Sequence, residues 1–357
     1  MRPAFPVLAR KFWWTVTVQD GAGPPISNSP GRPDKWLPQT EEFRVFGKKL
    51  VKNMIERSAE NATDRRRFLQ SAGALGLGVV GASAIGKASL AQPAATEVAE
   101  AAAAAPSDGA VLNFALNLEY LEAEFYLHAV TGEGLPDSWT TGKGTRGGVT
   151  GGYEVPFQSP IIKQYAKEIA ADEKAHVAFL RKALGSAAVS RPKIDIRDSF
   201  TAAARAAGLI GEMDTFDPYA NENNFLLAAF LFEDVGVTAY KGAAPLITNK
   251  TYLGAAAGIL AVEAYHAATI RTSLFEKGMS GPVKKLSAAR NMLDGPPLDD
   301  QGITNFGEAN INPTDNNGIA FGRTPGHVLN IVYLNPGQVS KGGFYPQGVN
   351  GEVHVSG

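Results

Sequence analysis

Four stretches of the chain are largely apolar, and each is long enough to form a helix that spans a domain, roughly 30–40 Å for twenty to twenty-five residues. The first runs from Ser107 to about Val130 and carries Phe114, Leu118 and Phe125. The second has Ser159 in position to cap it and Pro160 at its first turn, and it continues to Leu184 before Gly185. The third runs from about Glu222 to Leu246, and the fourth from about Tyr252 to Phe275 with Gly278 just beyond. These boundaries have physical causes. A Ser hydroxyl satisfies a free N–H of the first turn, Pro has no N–H to lose there, and Gly adopts the left-handed turn that ends a helix. Shorter helices are expected between Arg197 and Leu209 and near Lys284 to Met292. The run Val328-Leu-Asn-Ile-Val-Tyr-Leu334 is β-branched and predicts a buried strand or extended arm covering the outside of the helices.

The few polar residues inside the four stretches follow one plan, used twice. The second stretch holds Glu173-x-x-His176 and the fourth Glu263-x-x-His266, which together take two of only five histidines in the chain. Residues three apart share a helix face, so each carboxylate and imidazole can reach one point. The first stretch holds Glu119 with Tyr126 seven residues later, and the third holds Glu233 with Tyr240 seven later. Seven residues is close to two turns, which puts both members on one stripe. Glu122 and Glu124 also lie in the first stretch, but the matching positions of the third are Gly236 and Thr238. Glu119 is therefore the chosen counterpart of Glu233, with Glu122 as the fallback.

Two Glu-x-x-His helices with one Glu from each of two others make the donor set of a di-iron or di-manganese site in a helical bundle. Glu119, Glu173, His176, Glu233, Glu263 and His266 are the expected ligands. Four carboxylates turned into an apolar interior repel one another and lose hydration, and two divalent cations offset both. Tyr126 and Tyr240 are expected to donate to ligating carboxylates and so take part in the chemistry. Asp172 and Asp234, beside ligand positions, are expected to face solvent or their own helices.

Composition narrows the alternatives. The chain has 357 residues, 44% hydrophobic and 19% charged, and its formal net charge is -1. A near balance of charge gives no drive toward nucleic acid. Cysteine is absent, so disulfides, Fe–S clusters, thiolate metal sites and cysteine nucleophiles are excluded. Any metal is held by carboxylates and imidazoles, which suit iron, manganese or zinc.

Leu118-Glu-Tyr-Leu-Glu-Ala-Glu-Phe-Tyr126, Ala171-Asp-Glu-Lys-Ala-His176 and Ala261-Val-Glu-Ala-Tyr-His266 resemble the motifs of the ferritin-like superfamily. With the tail Arg323-Thr-Pro-Gly-His-Val-Leu-Asn-Ile-Val-Tyr333, the chain looks most similar to the exported ferritin-like domain family that includes desiccation-related proteins. The resemblance spans about Leu112 to Asn350. It implies an all-α, ferritin-like four-helix bundle over 107–278, with a crossover between the second and third helices and an extended C-terminal arm over 279–357. It also implies two iron ions, or alternatively manganese, at the six ligands named above. The expected function is an exported di-metal oxidoreductase acting with O2, peroxide or Fe(II) in stress protection. Manganese-catalase-like dismutation and a non-catalytic, desiccation-protective bundle are the alternatives, and a homo-oligomer is open.

The N-terminal region reads as an export signal. Asp64-Arg65-Arg66-Arg67-Phe68-Leu69-Gln70 has the twin-arginine pattern, Ser71 to Gly86 is a mildly apolar Gly/Ala run, and Ser89-Leu90-Ala91 is a small-residue cleavage site. The apolar run is too short and glycine-rich for a stable membrane span. Residues 54–91 are thus the expected signal, 92–106 an Ala/Glu-rich linker, and the mature protein is periplasmic or extracellular. Residues 1–53 precede a signal that belongs at a terminus, and Met54 sets the arginines at a normal distance from a start. Translation is expected to begin at or near Met54. N-terminal peptide sequencing of the unprocessed protein checks this, and recovery of a peptide from Lys35 to Arg44 overturns it.

Overall fold

The computed structural model describes residues 105–357. The expected extension at 1–53, the signal at 54–91 and all but the last two residues of the linker lie outside the described residues. The first long helix, α1, spans Asp108–Thr131, with Ser107 Oγ accepting from the Ala110 N–H and Gly132 ending it at φ 76°. Helix α2 spans Pro160–Leu184 under the Ser159 cap. A short α3 spans Asp198–Ala206. Helix α4 spans Glu222–Ala243 under the Asn221 cap, and Ala244–Leu246 closes as a 3-10 turn around Pro245. Helix α5 spans Lys250–Glu276, α6 spans Ser280–Asp294 and α7 spans Pro325–Val332.

The architecture is an all-α bundle. Helix α1 lies along α2 and α4 along α5, and the two pairs meet with α1 against α4 and α2 against α5. The long connection from α2 to α4, carrying α3, is the crossover. Helix α1 is apolar around nearly its whole circumference and is buried on almost every side, as such a helix must be. By length and composition α5 could cross a membrane. Here its Glu263, His266 and Arg271 are buried against other protein segments, so it serves as a bundle helix. Phe179 of α2 is 42% exposed.

Two small pairings hold the loops. Strand β1, Val149–Thr150, runs parallel to β2, Ile194–Asp195, and joins the long α1–α2 loop to the crossover. Buried Arg191 pairs with buried Glu124 and fastens the same crossover to α1. Strands β3, Thr304–Asn305, and β4, Glu308–Ala309, form an antiparallel hairpin in the tail.

The tail departs from expectation. Most of Val328 to Leu334, read as a strand or extended arm, belongs to helix α7. Thr324 caps it by accepting from the His327 N–H, and Pro325 opens it. A cap with a first-turn Pro fixes a helix start, and β-branched residues pack well enough on a short buried helix for that start to prevail. The rest of the arm wraps α1: the Tyr345 hydroxyl donates to the Asn117 carbonyl at 2.7 Å, and Asn117 and Asn350 exchange two further bonds.

A buried ionic clasp anchors this tail. Arg271 of α5 and Arg290 of α6 both donate to Asp234 of α4 at 2.8 Å. Arg290 also reaches Asp300 at 2.6 Å, and Arg323 pairs with Asp294 at 2.6 Å and with Asp300. Arg271 further donates to the Gly302 and Asn310 carbonyls. Asp234, expected to face solvent or its own helix, is buried because two arginines meet it. The tail crosses α4 so closely that a Cβ at Gly242 would lie 1.8 Å from the Arg323 carbonyl oxygen. Removing one member of a buried pair leaves its partner's charge uncompensated. Asp300→Ala is expected to cost about 3–5 kcal/mol in urea unfolding, and a loss under about 1 kcal/mol, the size of an exposed pair, overturns the clasp.

Candidate metal centre

The local structure explains why the six side chains converge. Glu119 and Glu233 point inward from the facing helices α1 and α4, and the two Glu-x-x-His pairs point inward from α2 and α5. Glu119, Glu173 and Glu263 are 0% exposed and Glu233 is 1% exposed. One donor atom from each of Glu119, Glu173, His176 and Glu263 lies within 4.8 Å of the others, and the same holds for Glu173, Glu233 and His266. The two groups share Glu173.

Single distances show the sharing. His176 Nδ1 stands 3.2 Å from Glu119 Oε2, 3.4 Å from Glu173 Oε2 and 3.7 Å from Glu263 Oε1. His266 Nδ1 stands 3.0 Å from Glu173 Oε1 and 3.5 Å from Glu233 Oε2. Glu173 thus turns one oxygen toward each imidazole, and its carboxylate sits between two positions.

The tyrosines cross between the halves. The Tyr126 hydroxyl donates to Glu233 Oε1 and the Tyr240 hydroxyl to Glu119 Oε1. Helix α1 runs antiparallel to α4, with Asp108 at the start of α1 accepting from Thr248 just past the end of α4, so a Tyr two turns along one helix lies level with the Glu of the other. Each bond occupies one oxygen of a carboxylate and leaves Oε2 facing inward.

Three supports were not resolved by sequence alone. His266 Nε2 lies 3.1 Å from Asp172 Oδ2, so Asp172, expected to be solvated or bound to its own helix, orients an imidazole across the α2–α5 seam. The matching position on α5 is Val262, which cannot accept a bond. Glu122, the fallback ligand, is also buried, and its carboxyl is pushed well above the usual range by burial and by the charges of Glu173, Glu233 and Glu119. Gly236 provides the space: a Cβ there would lie 2.2 Å from Glu263 Oε2 and 3.3 Å from Glu122 Oε1. The Gly236–Glu122 correspondence was visible in the repeat, but only the packing reveals its purpose.

Whether these residues suit cations is tested by their unmet bonding. Glu119 Oε2, Glu233 Oε2, both oxygens of Glu173 and Glu263, and Nδ1 of both histidines are buried and lack hydrogen-bond partners. Every expected ligand contributes at least one such atom. Buried polar groups are ordinarily satisfied, so a ring of orphans on one centre suits metal coordination. Carboxylates with imidazoles suit iron, manganese or zinc. The residues fit a pair of divalent cations.

With protein groups alone the cluster stores protons. Burial pushes Glu119 up to about 7, although His176 opposes it, and burial with neighbouring carboxylates pushes Glu263 well up. Burial would raise Glu173 and depress the histidines, but their mutual pairing wins. It takes Glu173 down to about 2, His176 up to about 10 and His266 up to about 12.

Fold and site together define a helical bundle with a buried carboxylate–histidine cluster whose donor atoms suit metal. A ferritin-like domain model matches residues 107–276. The chain is 31% identical over 266 residues to desiccation-related protein PCC13-62 of Craterostigma plantagineum, covering 69% of this chain and 84% of that protein. It is 28% identical over 262 residues to ferritin-like catalase Nec2 of Nesocodon mauritianus, covering 68% and 83%. No solved structure matches. The chain belongs to the ferritin-like family and resembles its desiccation-related members.

The raised pKa values set a sign for pH. Ligands bind as free bases, so His176 and His266, held protonated at neutral pH by the carboxylates around them, must release protons to a cation. Affinity therefore rises with pH, by about tenfold per unit for each proton displaced. Adding Mn(II) to weakly buffered, metal-free protein near pH 7 is expected to acidify the solution, and uptake with no proton release overturns this protonation pattern.

Proposed function

We propose that the protein is an exported di-metal carboxylate protein that consumes hydrogen peroxide, with Glu119, Glu173, His176, Glu233, Glu263 and His266 as ligands. The observation that carries the reading is the set of orphaned, inward-facing donor atoms, at least one from each of the six residues. The relative named ferritin-like catalase favours peroxide over the other expected reactants, O2 and Fe(II). The relative named desiccation-related supports a role in stress protection.

A bound pair of iron or manganese ions would supply the two-electron exchange by which one peroxide is oxidised to O2 while another is reduced to water. The chain's residues do the rest. Glu173, with one oxygen toward each histidine, would hold the pair at a fixed spacing. Tyr126 and Tyr240 keep Glu233 and Glu119 from swinging by holding one oxygen of each. Asp172 fixes the His266 ring. Buried apolar residues beside the ligands and Tyr126, such as Phe125 and Ile270, exclude bulk water, while His176 at 8% and His266 at 5% exposure mark the α2–α5 seam as the edge nearest solvent. A small neutral oxidant such as peroxide fits that narrow approach. Export is proposed from the twin-arginine pattern at Arg65–Arg66.

Elemental analysis of protein loaded with iron or manganese is expected to give about two ions per chain. Glu233→Ala is expected to lose at least one, and Glu173→Ala to lose both along with O2 release from peroxide. A well-folded wild type without metal, or unchanged occupancy in Glu233→Ala, overturns the assignment.

A further inference from the structure

Among the described residues, an aromatic chain leads outward from the centre beside Tyr126. Tyr126, bonded to Glu233, packs edge-on against Phe125 with ring centroids 4.9 Å apart. Phe125 lies 5.6 Å from Tyr219, whose hydroxyl donates to the Phe125 carbonyl at 3.4 Å. Tyr219 lies 5.4 Å from Tyr153. The first three rings are fully buried, whereas Tyr153 is 46% exposed. Its hydroxyl donates to the Asp217 carboxylate. Buried packing explains the inner rings; it does not explain an exposed phenol that ends the chain on a carboxylate.

We propose that Tyr153 is a second, surface redox site, at which small phenols donate single electrons that pass through Tyr219 and Phe125 to Tyr126 and the centre. This gives the protein a peroxidase-type activity and rests on the peroxide reading above. The electron count closes. Tyr153 loses one electron inward and its phenolic proton to Asp217. A phenol at the surface then returns a hydrogen atom to Tyr153, leaving as a phenoxyl radical, and Asp217 releases its proton to solvent. Two such events supply the two electrons, with two protons from solvent, that reduce one hydrogen peroxide to two waters. Tyrosine suits the stations because its phenol gives up an electron and proton together. Phe125 only bridges them. Asp217 accepts the terminal proton within an existing hydrogen bond, as a general base must.

The chain is absent from the matching half. Phe125 precedes Tyr126, but the residue before Tyr240 is Ala239, which offers no ring to pass an electron outward. One half of the duplicated plan therefore carries a route that the plan itself does not require.

The test uses iron- or manganese-loaded protein with hydrogen peroxide and guaiacol as donor, beside Tyr153→Phe, Tyr219→Phe and Asp217→Asn. Each variant keeps the packing and removes a redox station or the proton acceptor. Guaiacol oxidation is expected to fall by about tenfold or more in each at unchanged metal content. A second readout is independent of turnover: peroxide with a spin trap is expected to label Tyr153 in the loaded wild type, and not in Tyr219→Phe or in metal-free protein. Equal labelling of Tyr153 in Tyr219→Phe, or unchanged guaiacol rates in all three variants, overturns the route. Loaded protein that releases O2 from peroxide yet shows neither guaiacol oxidation nor label overturns this inference alone, and protein that binds no metal overturns the peroxide reading as well.

Discussion

Mutual repulsion among buried carboxylates is the constraint that the rest of this structure answers. Glu119, Glu122, Glu173, Glu233 and Glu263 lie in one apolar interior, where each would sooner be hydrated or neutral. Two imidazoles balance part of the charge, and Tyr126 and Tyr240 each satisfy one carboxylate oxygen. The remaining oxygens and both Nδ1 atoms make no hydrogen bond. A bundle selected for stability alone would replace such a cluster by packed apolar side chains, since swaps of that kind are often neutral or stabilising. Its retention, with glycine at 236 to leave room, is a structural cost that fits a site better than a scaffold.

The two halves share a plan but have diverged around it, and the divergence is where specific chemistry enters. Glu122 faces the space that Gly236 leaves open. Asp172 orients His266, while Val262 leaves His176 without an equivalent support. Phe125 extends the ring chain outward from Tyr126, while Ala239 offers no ring beside Tyr240. The two proposed cation positions therefore differ in surroundings although their donors nearly match. Unequal positions suit a redox pair, because hydrogen bonds to ligands tune the metal they hold.

Much of this is legible in the sequence. Helix starts were readable because Ser107, Ser159 and Pro160 act locally, within one turn. The six converging residues were readable because duplication ties Glu119 to Glu233 and Glu173-x-x-His176 to Glu263-x-x-His266. What escaped depends on contacts distant in sequence. Asp234 looks like any helix-surface Asp until Arg271 and Arg290 arrive from α5 and α6. Val328 to Leu334 reads as a strand by composition, and only the Thr324–Pro325 start shows otherwise. The crossed tyrosine bonds could not be read from either helix alone, since each needs the other's register.

The clasp and the centre are joined by a single peptide bond. Glu233 turns its carboxylate toward Glu173 and His266, while Asp234 turns toward the arginines that hold the tail. Residues one apart on a helix point about 100° apart, so one turn of α4 faces two buried polar systems at once. The tail therefore does more than cover apolar surface. By fixing Asp234 from outside the bundle it limits rotation and sliding of α4, and with it the position of Glu233. In a site whose donor atoms must stay within a few tenths of an ångström of a working geometry, that restraint links residues Gly302 and Asn310, far along the chain, to the chemistry of the bundle interior.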